Sequence, residues 1–534
     1  MTMEGRMIRY GAVAVVLFLA LINTMVVRSS NEAQDDTYIS LRYANNLAEG
    51  HGLRFNPGGE RVEGFSSPLH VLSMAAAIKA GFEPRAVSQF SSLSAALLTI
   101  LALVLWGQHR FGVLWGSAAG LALAFNQGFS TWSRGGLETT GFVLLVLLAL
   151  IAAAEKRWMT MGVLAGLLAL TRPEGALYWL PLFGYAALVH RHQKRPLRDL
   201  LPAGFMALAF FSTWFLFRLA YFHDVLPNTY YAKMDGMRLV QIQRGLEYIG
   251  SFIRLSEIQV MLIMIAAGGI LYLGRRRARP ALDWRSWQVP GLGLVACVVV
   301  FVLSAGGDWM NQHRFLQPAV PILILLAVWA GRYLGGISPS FAGRAALTAA
   351  LTLVFLSQPV RIFSHDIRHP NTPRDRPLGL VEPWDKFSNP SIYYHLGEKM
   401  REIMPADASV ALVPVGAFSF ACGRTVIDML GLNDREIAKM PLDSMGKGRM
   451  GHEKGSGRLV LARKPDFILL RATLNPEVGE TAPPDKELTY LLPVIQIWND
   501  ETFHADYEPF LVKIDDKRSF TVYRRIAMED DPVE

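Results

Sequence analysis

Two adjacent carboxylates, Asp35 and Asp36, open the stretch "DDTYISLRYA" shortly after the first apolar run of the chain has ended. Charge beside a membrane boundary is costly to desolvate, so these residues ask for a use. A carboxylate within hydrogen-bond reach of an attacking hydroxyl can take its proton as a new bond forms. Adjacent side chains project in different directions, so the pair does not act as acid and base on one atom. One serves as the base, and the other orients it or binds the acceptor. Their mutual repulsion raises one of the two pKa values. Arg172, Lys233, His313 and Arg314 could steady the charge of a departing phosphate, with Asn228 and Tyr231 close to Lys233 in sequence. Tyr43, Asn56, Glu63, Glu138, Glu174, Asp308 and Asp428 are further polar candidates for binding an acceptor or lining a pocket.

The elements that must position these groups are membrane helices. In 534 residues, 51% are hydrophobic and only 18% charged, with a mean hydropathy of +0.25. That much apolar surface does not fit inside one water-soluble core. The net charge of +8 comes from arginine clusters between apolar runs, the distribution of topology signals, and no motif or basic face for nucleic acid accompanies it. Cys297 and Cys422 lie far apart in unlike surroundings and define neither a disulfide framework nor a metal site.

Arg6 and Arg9 precede the run "YGAVAVVLFLALINTMVV", which no small-residue cleavage site follows, so a retained first helix is expected. Further spans are predicted near 87–106, 113–129, 138–154, 158–171, 174–190, 199–221, 258–274, 290–306, 314–333 and 341–358. The total is about eleven crossings, several of them short for a bilayer. The basic loops 190–199 and 274–285 should be cytoplasmic. The alternate loops then face outward, including a first external loop at 28–86, the "TRPEG" turn, 222–257, "AGGDWMNQHR" and everything after 358. The short apolar segment 68–82 reads as an interfacial or re-entrant helix. On this topology nearly all the candidate residues share one side.

Each motif has a plainer reading. "HGLRFNPGGERVEGFSSP" can be a turn-rich connector, and "LPNTYYAK" an interfacial aromatic belt with a basic anchor. Arg172 and Glu174 can neutralise each other across their turn, and Asp428 can pin a turn. Asp308, His313 and Arg314 sit within seven positions. His and Asp can ligate a divalent cation, although the spacing is no metal signature. Beyond the Pro-rich stretch 365–384, a helix at "IYYHLGEKMREIM", strands at "SVALVPVGAF", "TVIDML" and "PDFILLR", a helix at "GLNDREIAKM" and a hairpin turning at "DDKRS" predict a small α/β domain over 359–534.

The ordered set "DDTYISLRYANNLAEGHGLRFNPGGERVEGFSSPLH", "SRGGLET", "LTRPEG", "LPNTYYAK", "GGDWMNQHRFLQPAVP" and "IDMLGLND" resembles the GT-C superfamily of membrane glycosyltransferases. Within it, the likeness is to the terminal arabinofuranosyltransferases of cell-wall arabinan synthesis. The resemblance implies a transmembrane catalytic domain over 1–358 and an extracytoplasmic α/β domain over 359–534. It implies a donor that is a polyprenyl-phosphate-linked furanose and an acceptor that is a hydroxyl of a cell-envelope glycan or glycoconjugate. Reaction would occur on the periplasmic side of the bacterial cytoplasmic membrane, with the motif aspartate at Asp35 or Asp36. A transporter or flippase of lipid-linked sugars would also keep charge within a helical bundle, but no internal repeat accompanies it here. A non-catalytic envelope-assembly protein would have no use for the carboxylate pair.

Overall fold

A helix satisfies its own backbone in lipid, so long apolar runs fold as helices. The computed structural model describes residues 3–26, 34–233, 238–255, 258–274, 286–336, 340, 344–345, 348–353, 356, 390–442, 451–471, 473–477, 479–484 and 491–526. Five helices there are long and apolar enough to cross a bilayer: Met3–Met25, Pro84–Phe111, Leu197–Tyr221, Gln288–Ala305 and Gln312–Gly335. Arg238–Arg254 and Gln259–Tyr272 would add a sixth only as a span bent by 93°.

The chain is therefore polytopic, but the eleven expected crossings are not all of spanning length. Val113–Ala124, Thr139–Ala154 and Trp158–Thr171 hold 12, 16 and 14 residues. At about 1.5 Å per residue they reach only roughly 18–24 Å. The run expected at 174–190 divides into a 3-10 turn, Pro173–Tyr178, and a helix, Trp179–His192. The segment read as interfacial or re-entrant is a 12-residue helix, Pro68–Lys79. Most of the expected span 341–358, the basic loop after Gly274, the Pro-rich stretch 365–384 and the expected boundary at 358 lie outside the described residues.

The chain divides into two compact units. The first joins Met1–Asn31, Gln89–Trp214 and Gln241–Pro377. Its core is aliphatic and aromatic, with Val104, Leu147, Leu294, Val298 and Leu325 all fully buried. Trp106 meets Trp287 edge-on, with ring centroids 5.5 Å apart.

The second unit joins Glu32–Ser88, Phe215–Val240 and Leu378–Glu534. Its first helix, Asp35–Ala48, begins with two acidic residues, which complement the positive end of the helix dipole. Every residue from Thr37 to Ala44 on that helix is buried, so it sits in the interior of its unit. The sheet of this unit has strands β1 (Ser409–Leu412), β2 (Thr425–Asp428), β3 (Phe467–Ile468), β4 (Tyr507–Asp515) and β5 (Arg518–Arg525) in the order β2-β1-β3-β5-β4. β1 runs parallel to β2 and β3, while β5 runs antiparallel to β3 and β4. The hairpin turns where "DDKRS" predicts. Helix Ala417–Cys422 connects β1 to the edge strand β2.

Candidate functional site

Asp35 and Asp36 are the first two residues of helix Asp35–Ala48, and the structure gives them different surroundings. Both oxygens of Asp35 accept backbone N–H groups, Oδ2 from Gly416 at 3.0 Å and Oδ1 from Ala417 at 2.8 Å. A Cβ on Gly416 would lie 2.6 Å from Asp35 Cγ, so only glycine admits this approach. Burial pushes the Asp35 carboxyl up to about 6, against the two N–H bonds and with a smaller push from the charge of Asp36. Asp36 is half-buried and, among the described residues, makes no hydrogen bond or ion pair.

About two turns after Asp35, Arg42 holds that helix to the sheet domain. Its Nε donates to the carbonyl of Phe55 at 2.7 Å, and its Nη2 to Asn56 Oδ1 at 3.0 Å and to the carbonyl of Arg424 at 2.7 Å. Its Nη1 donates to the carbonyl of Ser419. Burial lowers the Arg42 guanidinium to about 10. Asn56 completes the edge strand: its Nδ2 donates to the carbonyl of Val426 at 2.8 Å, and its Oδ1 accepts the Val426 N–H at 3.0 Å. The side-chain amide thus stands where another strand would pair.

Tyr43 donates to the carbonyl of Val62 at 2.8 Å and accepts the N–H of Gly64 at 3.1 Å; burial holds its phenol protonated far above the usual range. Asn433 Oδ1 faces that hydroxyl at 3.2 Å, while its Nδ2 donates to Asp428 Oδ2 at 3.0 Å. Asp428 also accepts the backbone N–H groups of Leu430, Gly431 and Asn433 at 2.9, 3.2 and 2.9 Å. Its carboxylate pins the turn after β2, and burial raises it to about 6.

Glu63 forms a two-pronged ion pair with Arg218, one arm at 3.2 Å, and the Glu63 carbonyl accepts the N–H of Asn228 at 3.0 Å. Asn228 Nδ2 donates to the carbonyls of Gly431 and Leu432 at 2.8 and 2.9 Å. The Tyr231 ring carries Lys439 4.7 Å from its centroid, and Lys439 also pairs with Asp224. Lys233 ends the short helix Asn228–Lys233, half-buried and without a hydrogen-bonding or ionic partner among the described residues.

The remaining candidates belong to the first unit. Arg172 Nη1 lies 2.7 Å from Glu138 Oε1, and Arg172 Nε donates to Glu174, with all three side chains buried. Arg314 Nε donates to Asp308 Oδ2 at 2.7 Å. The two guanidinium groups lie 5.0 and 5.2 Å from the ring centroid of Phe315, so this ring links the two ionic clusters. His313 Nε2 is 2.7 Å from Ser251 Oγ, and its ring sits 4.9 Å from Tyr248 and 5.4 Å from Phe252. Gln312 and His313 take left-handed backbone, with φ of 60° and 49°, an arrangement that surrounding contacts must enforce.

Both arginines expected to face a phosphate are thus engaged by carboxylates. No group of three or more His, Cys, Asp or Glu side chains could hold a metal ion among the described residues. Arg42, Arg218, Asn433, Asp224 and Lys439 were not among the candidates read from sequence. Arg218 alone carries a local signal, a charge near the end of an apolar helix that calls for a buried partner.

These features belong to a polytopic helical protein with a mixed α/β sheet domain. Residues 389–523 match a family model described as a domain of unknown function, DUF8728. No curated protein sequence matches the chain. The fold is similar to that of ArnT from Cupriavidus metallidurans bound to undecaprenyl phosphate, at 12% identity and a TM-score of 0.56, covering 98% of this chain and 99% of that one. The apo state of the same protein gives 13% identity and a TM-score of 0.53 over the same shares. Arabinofuranosyltransferase AftD from Mycobacteria aligns at 14% identity and a TM-score of 0.48, covering 96% of this chain and 40% of that one. The chain shares the overall fold of that structure of ArnT.

Proposed function

We propose that the protein is a membrane glycosyltransferase that moves a sugar, a furanose such as arabinofuranose, from a polyprenyl-phosphate donor to a hydroxyl of a cell-envelope glycan or glycoconjugate. The reaction takes place on the outer face of a bacterial cytoplasmic membrane. Likeness to a protein bound to undecaprenyl phosphate supports the donor class. The observation that carries the catalytic reading is the division of labour at the start of helix Asp35–Ala48. Asp35 is tied by both oxygens to backbone, whereas Asp36, one residue on, has a carboxylate that no described residue engages.

Asp36 is accordingly the base and Asp35 the positioning residue. The acceptor oxygen attacks the anomeric carbon and gives its proton to Asp36 as the new bond forms. The bond from the anomeric carbon to the phosphate oxygen breaks with its electron pair going to the phosphate. The departing anion needs no proton but does need a cation. Lys233 suits that role because, among the described residues, no carboxylate pairs with its ammonium. Arg172 and Arg314 are paired in this way and serve to keep their neighbourhood in shape.

The test is transfer of label from a radiolabelled polyprenyl-phosphate sugar to acceptor by purified, full-length protein. Asp36→Asn should lower kcat at least 100-fold with an unchanged melting profile. Full activity in Asp36→Asn together with loss in Asp35→Asn would move the base to Asp35. Unchanged activity in both would remove the proposed chemistry, and movement of intact donor across vesicles without transfer would make the protein a flippase.

A further inference from the structure

Helix Arg238–Leu255 has three faces where a packed surface helix ordinarily has two. One face, formed by Gln241, Gly245, Tyr248 and Phe252, is buried. A second, with Gln243, Glu247 and Arg254, is exposed and polar. The third is exposed and aliphatic: Leu239, Ile242, Leu246 and Ile253 are 80, 42, 58 and 39% exposed, with the half-buried Ile249 in the same row. Steps of three and four residues place these five side chains along one stripe. The packed face therefore does not account for them.

What covers this stripe follows from the element beside it. The helix meets the apolar helix Gln259–Tyr272 at 93°. If the latter enters the bilayer along its normal, the former runs along its surface, and its own composition is too polar for a buried span. We propose that Arg238–Leu255 is an interfacial helix, with its aliphatic stripe in the boundary between headgroups and acyl chains and its polar stripe among the headgroups. The inner face fixes the helix to the charged part of the first unit. Tyr248, Ser251 and Phe252 surround His313, next to the Arg314–Asp308 pair. A Cβ at Gly245 would come within 2.7 Å of the Leu303 Cα, so the backbones meet directly.

A nitroxide scan of the full-length protein in vesicles of zwitterionic and anionic phosphatidyl lipids, at about three to one, tests the placement. Labels go at Leu239, Ile242, Leu246 and Ile253, at Gln243, Glu247 and Arg254, and at Val300 within helix Gln288–Ala305 as a deep reference. Oxygen accessibility should peak at the aliphatic positions, and a water-soluble nickel chelate should favour the polar ones, giving a helical alternation in phase with the stripe. Equal chelate accessibility at Leu246 and Glu247 would place the stripe in water and overturn the proposal. Labels at Ile242 and Leu246 as deep as Val300 would make the segment part of a buried or re-entrant span, and would overturn it too.

Discussion

Replacing Arg172 with methionine keeps an unbranched side chain in place and removes its charge. Two carboxylates then remain, Glu138 and Glu174, whose side chains are 8 and 6% exposed. Neither can rehydrate without opening the structure. Breaking a buried pair by removing one partner costs about 3–5 kcal/mol, chiefly as the penalty of the stranded charge. Three kcal/mol corresponds to more than a hundredfold loss in the folding equilibrium, at about 1.4 kcal/mol per tenfold. The loss should shrink when the stranded acids are neutralised, so Arg172→Met/Glu138→Gln/Glu174→Gln should return to within about 1 kcal/mol of the parent, because a neutral replacement of a buried ionic group is often nearly free. Reversible unfolding in mixed micelles, followed by tryptophan fluorescence against the mole fraction of SDS, reads these differences. If Arg172→Met stays within about 1 kcal/mol of the parent, the guanidinium is not balancing the two acids, and it regains its place among the groups available to a phosphate.

Four further outcomes are expected. Asp35 and Asp428 both have native pKa values of about 6 against an ordinary 3.8, so the folded state holds more protons than the unfolded one between these values. Their contribution to stability falls as pH rises from about 4 to 6 and is flat above, by at most about 3 kcal/mol for the buried Asp428 and less for the half-exposed Asp35. Melting of the parent and of Asp428→Asn at pH 5 and 7.5 checks this, since the variant should lose part of the dependence. Arg218→Met should cost about 3–5 kcal/mol by stranding Glu63, and Arg218→Met/Glu63→Gln should recover most of it in a double-mutant cycle. Arg42→Lys replaces a planar fork serving three carbonyls and an amide oxygen with a single ammonium; a loss of about 2–3 kcal/mol should appear as faster proteolysis of the sheet domain in the full-length protein. Lys233→Gln should raise the KM for donor about tenfold and leave kcat little changed, while Lys233→Arg retains most of the affinity.

Much of the architecture was legible in one dimension because it depends on local composition. Apolar runs such as 139–154 and 288–305 declare helices wherever the chain places them, since lipid leaves the backbone no other way to satisfy itself. The hairpin turn at "DDKRS" is set by neighbours in sequence, and the strands start where "SVALVPVGAF" and "TVIDML" put them but stop at Leu412 and Asp428, while "PDFILLR" keeps only Phe467–Ile468 as strand. Apolarity does not report whether a run is long enough as a helix, and that is why the number of spanning elements had to come from the fold.

The site depended on partners hundreds of residues apart. Asp35 and Asp36 are equivalent as letters, and only the backbone of Gly416 and Ala417 makes Asp35 an anchor, while no described residue engages Asp36. Arg172 and Arg314 read as phosphate ligands in sequence, and only the fold shows that Glu138, Glu174 and Asp308 engage them. A carboxylate's role is set by which donors reach its oxygens and how much water is excluded around it, and both are properties of packing. The sequence alone determined that this chain must live in a membrane and carry an acidic motif and a sheet domain. Tertiary structure decided which charges are already spent on one another and which remain free to act, because electrostatic pairing follows distance in space and not separation along the chain.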